Sequence, residues 1–428
     1  MKLDLGFVRR QFPAFAETSL AGQAFFENAG GSYPCAAVVN RLTEYYRRLK
    51  VQPYYDFPAS AEAGEWMDAS RERLAEYLGV TPAEVHFGPS TSQNTYVLAQ
   101  AFRALLKPGD EIIVTNQDHE ANSGAWRRLA ALGIAVREWR VDPETGRLAE
   151  SDLERLLTER TRLLAFPHAS NVVAHINPVA RITARARAAG VITAVDGVAW
   201  APHGLPDVAQ LGADIYLFSL YKTYGPHQGL MVVRAGLLER LGTEGHYFNA
   251  GDSSKRLVPA GPDHAQVAAA RGIAEYFDAL DAHHAAAAEP GRGAAGTRAA
   301  RVRTLLRSAE LPLLATLLEY LATRRDIRLL GPSVPEQRAA TVSFVTDAIE
   351  PREMVQALAR RGFMAGNGNF YAVRVLEGMN VNPDRGAVRL SLLHYNSTDE
   401  VKGVIEALEQ ILGAQVAPQR KRPDSRLA

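Results

Sequence analysis

Apolar residues in the middle of the chain fall into short runs separated by turn residues. Val191–Val195, Asp214–Phe218 and Gly229–Val233 each read as a buried strand: short, β-branched or aromatic, with Gly or Pro nearby. Val85–Phe87, Glu111–Val114 and Arg162–Phe166 repeat the pattern upstream. Between them the spacing turns helical. Val97, Leu98, Ala101, Phe102 and Leu105 share one face, Pro178–Ala189 fits a crossover helix, and Leu205–Leu211 fits a shorter one. Strands and helices therefore alternate from about Val85 to Val233, which predicts a mostly parallel α/β sheet. Helices are expected before it at Ala36–Leu49 and Trp66–Leu78, and after it at Pro259–Leu280. Beyond that the pattern changes. Helix Leu313–Thr323, strand Thr341–Val345, helix Pro351–Arg361, strand Val388–Leu392 and helix Thr398–Leu412 describe a smaller α+β unit. Gly362–Phe370 reads as a flexible loop by composition. The expected organisation is an arm over residues 1–20, a large domain over 21–280, a small domain over 281–415 and a disordered tail over 416–428. The junction is expected in a long helix interrupted at Pro290-Gly291.

Composition changes this picture only at its edges. With 428 residues and 47% hydrophobic content the chain can bury a large core. A net charge of +1 gives no electrostatic case for nucleic acid. One cysteine, Cys35, excludes an intramolecular disulfide framework and suits a reducing compartment. No apolar run approaches membrane-spanning length, and MKLDLGFVRRQFPAF carries no signal-like apolar core. A cytoplasmic protein without a membrane partner is the expectation.

The candidate chemistry sits just after the strands. Gly88-Pro89-Ser90-Thr91-Ser92-Gln93 opens a helix, where free N–H groups and the helix dipole favour an anion, although alone it is only a good cap. His119 follows the next strand and could stack on a flat ring. Asn171 follows Arg162–Phe166, Asp196 follows Val191–Val195, and Ser219 and Lys222 follow Asp214–Phe218. In a parallel sheet ligands collect at the carboxyl ends of strands, so these residues share one crevice. A crevice lysine with an acid on a nearby strand end suggests a Schiff-base lysine beside the anchor of a pyridine nitrogen. A surface lysine and a helix-capping aspartate is the plain alternative. Phe25–Ser32 is a strand-like pair running into a glycine turn, where small residues let backbone approach a ligand or a neighbour closely. Cys35 reads as a buried structural thiol, because nothing nearby activates it. His119, His168, His175 and His203 fit no common metal-ligand spacing, so no metal is expected.

Over Gly88–Asn94, Asp118–Asn122, His168–Pro178, Asp196–Gly204, Asp214–Gly229 and Arg389–Thr398 the chain resembles the class V aminotransferase family of fold-type I pyridoxal-phosphate enzymes. It is most similar to the group that resembles cysteine desulfurases, and the likeness runs from about Phe25 to Leu412. The resemblance implies a seven-stranded-type, mostly parallel sheet, pyridoxal 5'-phosphate as cofactor, an amino-acid substrate and a homodimer. It also implies that Lys222 forms the Schiff base, Asp196 pairs with the ring nitrogen and His119 stacks on the ring. Thr91, Ser92 and Ser219 would hold the phosphate, with Asn171 near the ring hydroxyl and the substrate. Arg389 would clamp the substrate carboxylate, a task that suits its planar fork, and Asn28 is expected at the substrate. Departures from the family pattern narrow the chemistry. Gly362–Tyr371 carries no cysteine where desulfurases have a reactive one. Tyr221 precedes Lys222 where many relatives have histidine, and Ala199 replaces a polar contact to the ring hydroxyl. Ala260-Gly261-Pro262 stands in place of a Gly-Thr pair that reaches the partner subunit's phosphate. The implied function is carbon–sulfur bond cleavage by elimination, with an epimerase or aminotransferase as the alternative on the same scaffold. A non-catalytic binding or regulatory protein is the alternative of another class, and the presence of Lys222, Asp196 and Arg389 together argues against it.

Overall fold

The computed structural model describes residues 2–286 and 297–416. The interruption expected at Pro290-Gly291, and all but the first residue of the expected tail, lie outside the described residues. After a helix at Leu5–Arg10 comes a two-residue strand, β1 (Ala24–Phe25). The large sheet is built from β2 (Val85–Gly88), β3 (Glu111–Thr115), β4 (Ala135–Trp139), β5 (Thr161–Pro167), β6 (Ile192–Asp196), β7 (Ile215–Ser219) and β8 (Gly229–Val233). These seven strands lie in the order β2-β8-β7-β6-β5-β3-β4. All neighbours pair parallel except β8, which runs against both β2 and β7. Reversed twice, β2 ends on the same edge as β3, β5, β6 and β7.

The central strands are apolar on both faces because both faces are covered. Leu164 and Phe166 of β5 pack in one layer with Val195, Tyr216 and Phe218. Leu163 and Ala165 pack in the other with Ala194, Ile215 and Leu217. Each such side chain contributes roughly 1.5–3 kcal/mol by leaving water. At the edge, β4 alternates between exposed and partly buried positions before its buried Trp139.

The second sheet is antiparallel, in the order β12-β13-β10-β9, from β9 (Ile327–Leu330), β10 (Thr341–Thr346), β12 (Gly366–Gly368) and β13 (Ala387–Ser391). Between β10 and β12, β11 (Phe363–Met364) pairs parallel with β1. The loop expected over Gly362–Phe370 is therefore largely paired backbone. Gly362 marks close approach rather than mobility, because a Cβ there would meet the Gly22 carbonyl at 2.7 Å. Two sequence boundaries do not follow the packing. Ala24 and Phe26 belong to the second core, with Leu317, Phe344 and Leu390. Helix Arg298–Ala322 gives Val302, Leu305 and Leu306 to the first core and Leu313–Leu321 positions to the second, so it ties the two together.

Candidate active site

The carboxyl edge of the large sheet brings the polar residues together around one cavity. Ser90, Thr91, Ser92, His119, Asn171, Asp196, Ser219 and Lys222 all line it. Helix Thr91–Ala101 starts where β2 ends, capped by Ser90, whose side chain accepts from the Gln93 N–H. Gly229 lets β8 press against that turn: a Cβ there would lie 2.4 Å from the Thr91 nitrogen. Thr91 Oγ1 and Ser219 Oγ share a buried hydrogen bond of 2.7 Å, which joins the helix start to the end of β7. Two hydroxyls and the first N–H groups of a helix make an anion corner. The Tyr221 and His227 rings stack at 4.6 Å and line the same cavity.

Lys222 ends a single 3-10 turn after β7, half-buried. Burial and the nearby Arg389 charge pull its amine down to about 8, against smaller pulls from Asp196 and Glu27. The turn is held from outside by the glycine segment near the N-terminus. Ser32 N–H donates to the Tyr221 carbonyl at 3.1 Å, and Ser32 Oγ accepts from the Tyr224 N–H at 2.8 Å. The neighbour that the Gly30–Ser32 backbone approaches is therefore the lysine loop.

Asp196 is the last residue of β6 and is buried, with Oδ1 accepting from the Val198 N–H at 2.8 Å. Burial pushes its carboxyl up to about 6, partly offset by that bond and by Lys222. His119 caps helix Glu120–Arg127: its Nδ1 accepts from the Ala121 N–H at 3.0 Å. The neutral ring therefore carries its proton on Nε2. Burial, then Lys222 and Arg389, hold it down at about 4, so it stays uncharged at neutral pH. Behind it, Asp118 is fully enclosed and raised to about 8 by burial, with Thr115 and Asn122 donating to it. Asn171 lies in a loop anchored by Asn177, which donates to Gln117 and to the Pro167 carbonyl. Asn171 Nδ2 donates to the Phe370 carbonyl at 2.9 Å, while its Oδ1 is buried with no partner among the described residues.

Arg389, on β13, is buried and reaches the same region. Nη1 donates to the Asn171 carbonyl at 3.2 Å, and the guanidinium lies 3.9 Å from the Phe370 ring centre. Nη2 donates to Glu27 at 2.5 Å.

Asn28 departs from expectation. Its amide donates to the carbonyls of Phe25 and Ser391, and its oxygen accepts from Tyr395. These bonds tie β1 to the end of β13, and Asn28 does not line the cavity. Cys35 is also remote from substrate chemistry. It is fully buried, donates to the Gly272 carbonyl at 3.5 Å, and burial pushes its thiol up to about 12.

Glu27, Asp118, Phe370, Tyr371 and His227 are site residues that sequence spacing did not single out. All five lie in stretches that the sequence marks, Phe25–Ser32, Asp118–Asn122, Asp214–Gly229 and Gly362–Tyr371, but for other features: glycines, His119, Lys222 and the missing cysteine.

A buried acid, a neutral-leaning amine, an anion corner, a neutral imidazole and an orphaned acceptor around one cavity fit a flat, phosphorylated, polar cofactor. Comparison with known proteins agrees. The family model for aminotransferase class-V matches residues 24–289 and 304–404. An aminotransferase-like protein, FGM3, of Gibberella zeae is 34% identical over 418 residues, spanning 95% of this chain and 98% of that one. A cysteine desulfurase of Serratia proteamaculans is 30% identical over 425 residues, spanning 96% and 99%. The apo structure of a cysteine desulfurase from Thermococcus onnurineus superposes with a TM-score of 0.83, covering 97% of this chain and 99% of that one at 22% identity, a likeness of fold. The chain belongs to the aminotransferase class-V family. It is a pyridoxal-phosphate-dependent enzyme.

Proposed function

We propose that the protein cleaves a carbon–sulfur bond of an amino acid by elimination at this cavity. The observation that carries the reading is the absence of a usable thiol at the site. Cys35 is buried with its thiol pushed up to about 12, and Gly362–Tyr371 has no cysteine. Sulfur transfer to the enzyme needs an accessible thiolate beside the substrate. Elimination needs only a base and a positioned substrate. Relatives named as cysteine desulfurases support a sulfur-containing substrate.

Pyridoxal phosphate, when bound, supplies the electron sink that stabilises charge developing at the α-carbon. Thr91, Ser92 and Ser219 would hold its phosphate, Lys222 would take its aldehyde as a Schiff base, and Asp196 would pair with its ring nitrogen. His119, kept neutral and held by the Ala121 N–H, would stack on the ring without adding charge. Arg389 orients the substrate carboxylate, and Asn171 Oδ1 takes a hydrogen bond from cofactor or substrate. Lys222, lowered to about 8, moves the α-proton because an amine near neutrality both takes and gives one.

From cysteine, elimination followed by uptake of one water yields pyruvate, ammonia and sulfide in equal amounts. Incubation with L-cysteine and quantification of these products is the test. Alanine formed instead, with a stoichiometric persulfide on Cys35 by mass spectrometry, overturns the reading. We also propose a cytoplasmic homodimer. Its lone buried thiol suits a reducing compartment, and among the described residues no helix is long and apolar enough to cross a membrane.

A further inference from the structure

Arg389, the cation assigned to a substrate carboxylate, already holds a carboxylate from the protein. Glu27 follows β1 and bridges Ser391 at the end of β13, so backbone pairing sets it beside the strand that carries Arg389. Its Oε1 accepts from Arg389 Nη2 at 2.5 Å. Two glycines make room for it. A Cβ at Gly30 would come within 2.6 Å of Oε1, and one at Gly366 within 2.4 Å of Oε2. Glu27 is also among the charges acting on the Lys222 amine, the last of those that pull it up.

Polar atoms around this pair are left over. Arg389 has five N–H groups, and among the described residues donates one to Asn171 and one to Glu27. Its Nε is buried without a partner, as are Glu27 Oε2 and Asn171 Oδ1. Buried unpaired groups cost free energy, so together they describe what a ligand must bring. With Asn171 Oδ1 met by the cofactor or the substrate, a bare carboxylate satisfies Arg389 Nε and leaves Glu27 Oε2. A ligand that also carries a donor beside its carboxylate satisfies both.

Charge points the same way. A ligand carboxylate on the free side of Arg389 must lie close to Glu27, because one small planar guanidinium holds both. Two anions then share one cation. A third anion on the ligand is repelled, while a cation is attracted.

We propose that Glu27 is a specificity-determining residue, which makes the pocket select amino acids whose side chain ends in a cationic or hydrogen-bond-donating group and reject acidic ones. The proposal rests on the reading that Arg389 takes the substrate carboxylate. Three cysteine derivatives of similar length test it: S-(2-aminoethyl)-, S-propyl- and S-carboxymethyl-L-cysteine. Dissociation constants come from the absorbance change of the bound cofactor, which does not require turnover, and kcat/KM from thiol release. At interactions screened to an effective dielectric near 20, the aminoethyl compound should bind about 10-fold tighter than the carboxymethyl one. Glu27→Gln should bring that ratio close to one, mainly by tightening the acid. A ratio unchanged in Glu27→Gln, or equal weakening of all three ligands, would mean that Glu27 only props Arg389, and overturns the proposal. Wild-type preference for the acid overturns it without any variant. Absence of a spectral response to all three sinks it together with the carboxylate clamp. Binding in the expected order without thiol release contradicts elimination and leaves the selectivity intact.

Discussion

Lys222, Asp196, Thr91 and Ser219 were legible in the sequence for one reason: each closely follows an apolar run, and β-strand ends are where a parallel sheet places its ligands. Asn28 and Glu27 were not, because their partners lie far along the chain. Glu27 meets Arg389 across 362 positions, and Asn28 meets Ser391 across 363. No local pattern distinguishes a clamp partner from a sheet fastener at that distance. Three substitutions follow from the geometry. Cys35→Ser should leave turnover within about 2-fold, since a buried thiol donating one weak bond has no part in the chemistry; loss of activity with unchanged stability would contradict this. Lys222→Ala should abolish turnover. Arg389→Ala should raise KM far more than it lowers kcat, because its bond is made to bound substrate as well as to the transition state. Equal losses in kcat and kcat/KM would place Arg389 in the bond-breaking step instead.

At the scale of elements, composition misread the segment over the site. Gly362–Phe370 is glycine-rich and looked mobile, yet most of it pairs as β11 and β12. Phe370 and Tyr371 then take two successive left-handed conformations, with φ of 52° and 55°. Non-glycine residues hold such angles only when neighbours over-determine them. Here the Phe370 carbonyl accepts from Asn171, and the Tyr371 carbonyl accepts from the Glu120 N–H at 2.8 Å. Asn171→Ala should therefore loosen the segment, and the amide of Glu120 should exchange with deuterium faster than in the parent. Unchanged protection at Glu120 would show that Asn171 does not hold this loop. The strands β4 and β9 leave no sequence signal for a different reason. Both are edge strands in which apolar and charged residues mix, so neither run stands out.

Across the whole molecule, the α/β alternation was readable but the reversal of β8 was not, because hydrophobic period carries no strand direction. Burial of histidines sets the acid response. His86, His119 and His175 are held at about 4, and His168 and His394 at about 3, chiefly by burial. All five lie below the unfolded value of about 6.5. The unfolded chain thus takes up protons the folded chain refuses. This stabilisation is full above about pH 6.5 and is lost as pH falls toward 4. Asp118 and Asp196, raised to about 8 and about 6, oppose it by binding protons in the fold. With five groups against two, Tm should fall between pH 6.5 and 4.5; a Tm that is flat or rises on acidification would contradict the balance. Tyr54, Tyr55, Phe57, Tyr247 and Phe248 are exposed, and Tyr54 lines one groove with His246 and Ala260–Pro262. Exposed aromatic clusters of this kind favour association, which supports the proposed homodimer. Sedimentation at micromolar concentration should give a dimer, and a cofactor-loaded monomer would contradict it.

The most direct measurement is borohydride reduction of the purified holoprotein followed by peptide mapping. The pyridoxyl group should be found on Lys222, on the peptide that also contains Ser219, with loss of the visible absorbance. A pyridoxyl label on any other lysine, or a protein that cannot be reconstituted with pyridoxal phosphate, would contradict the assignment of this cavity as the cofactor site.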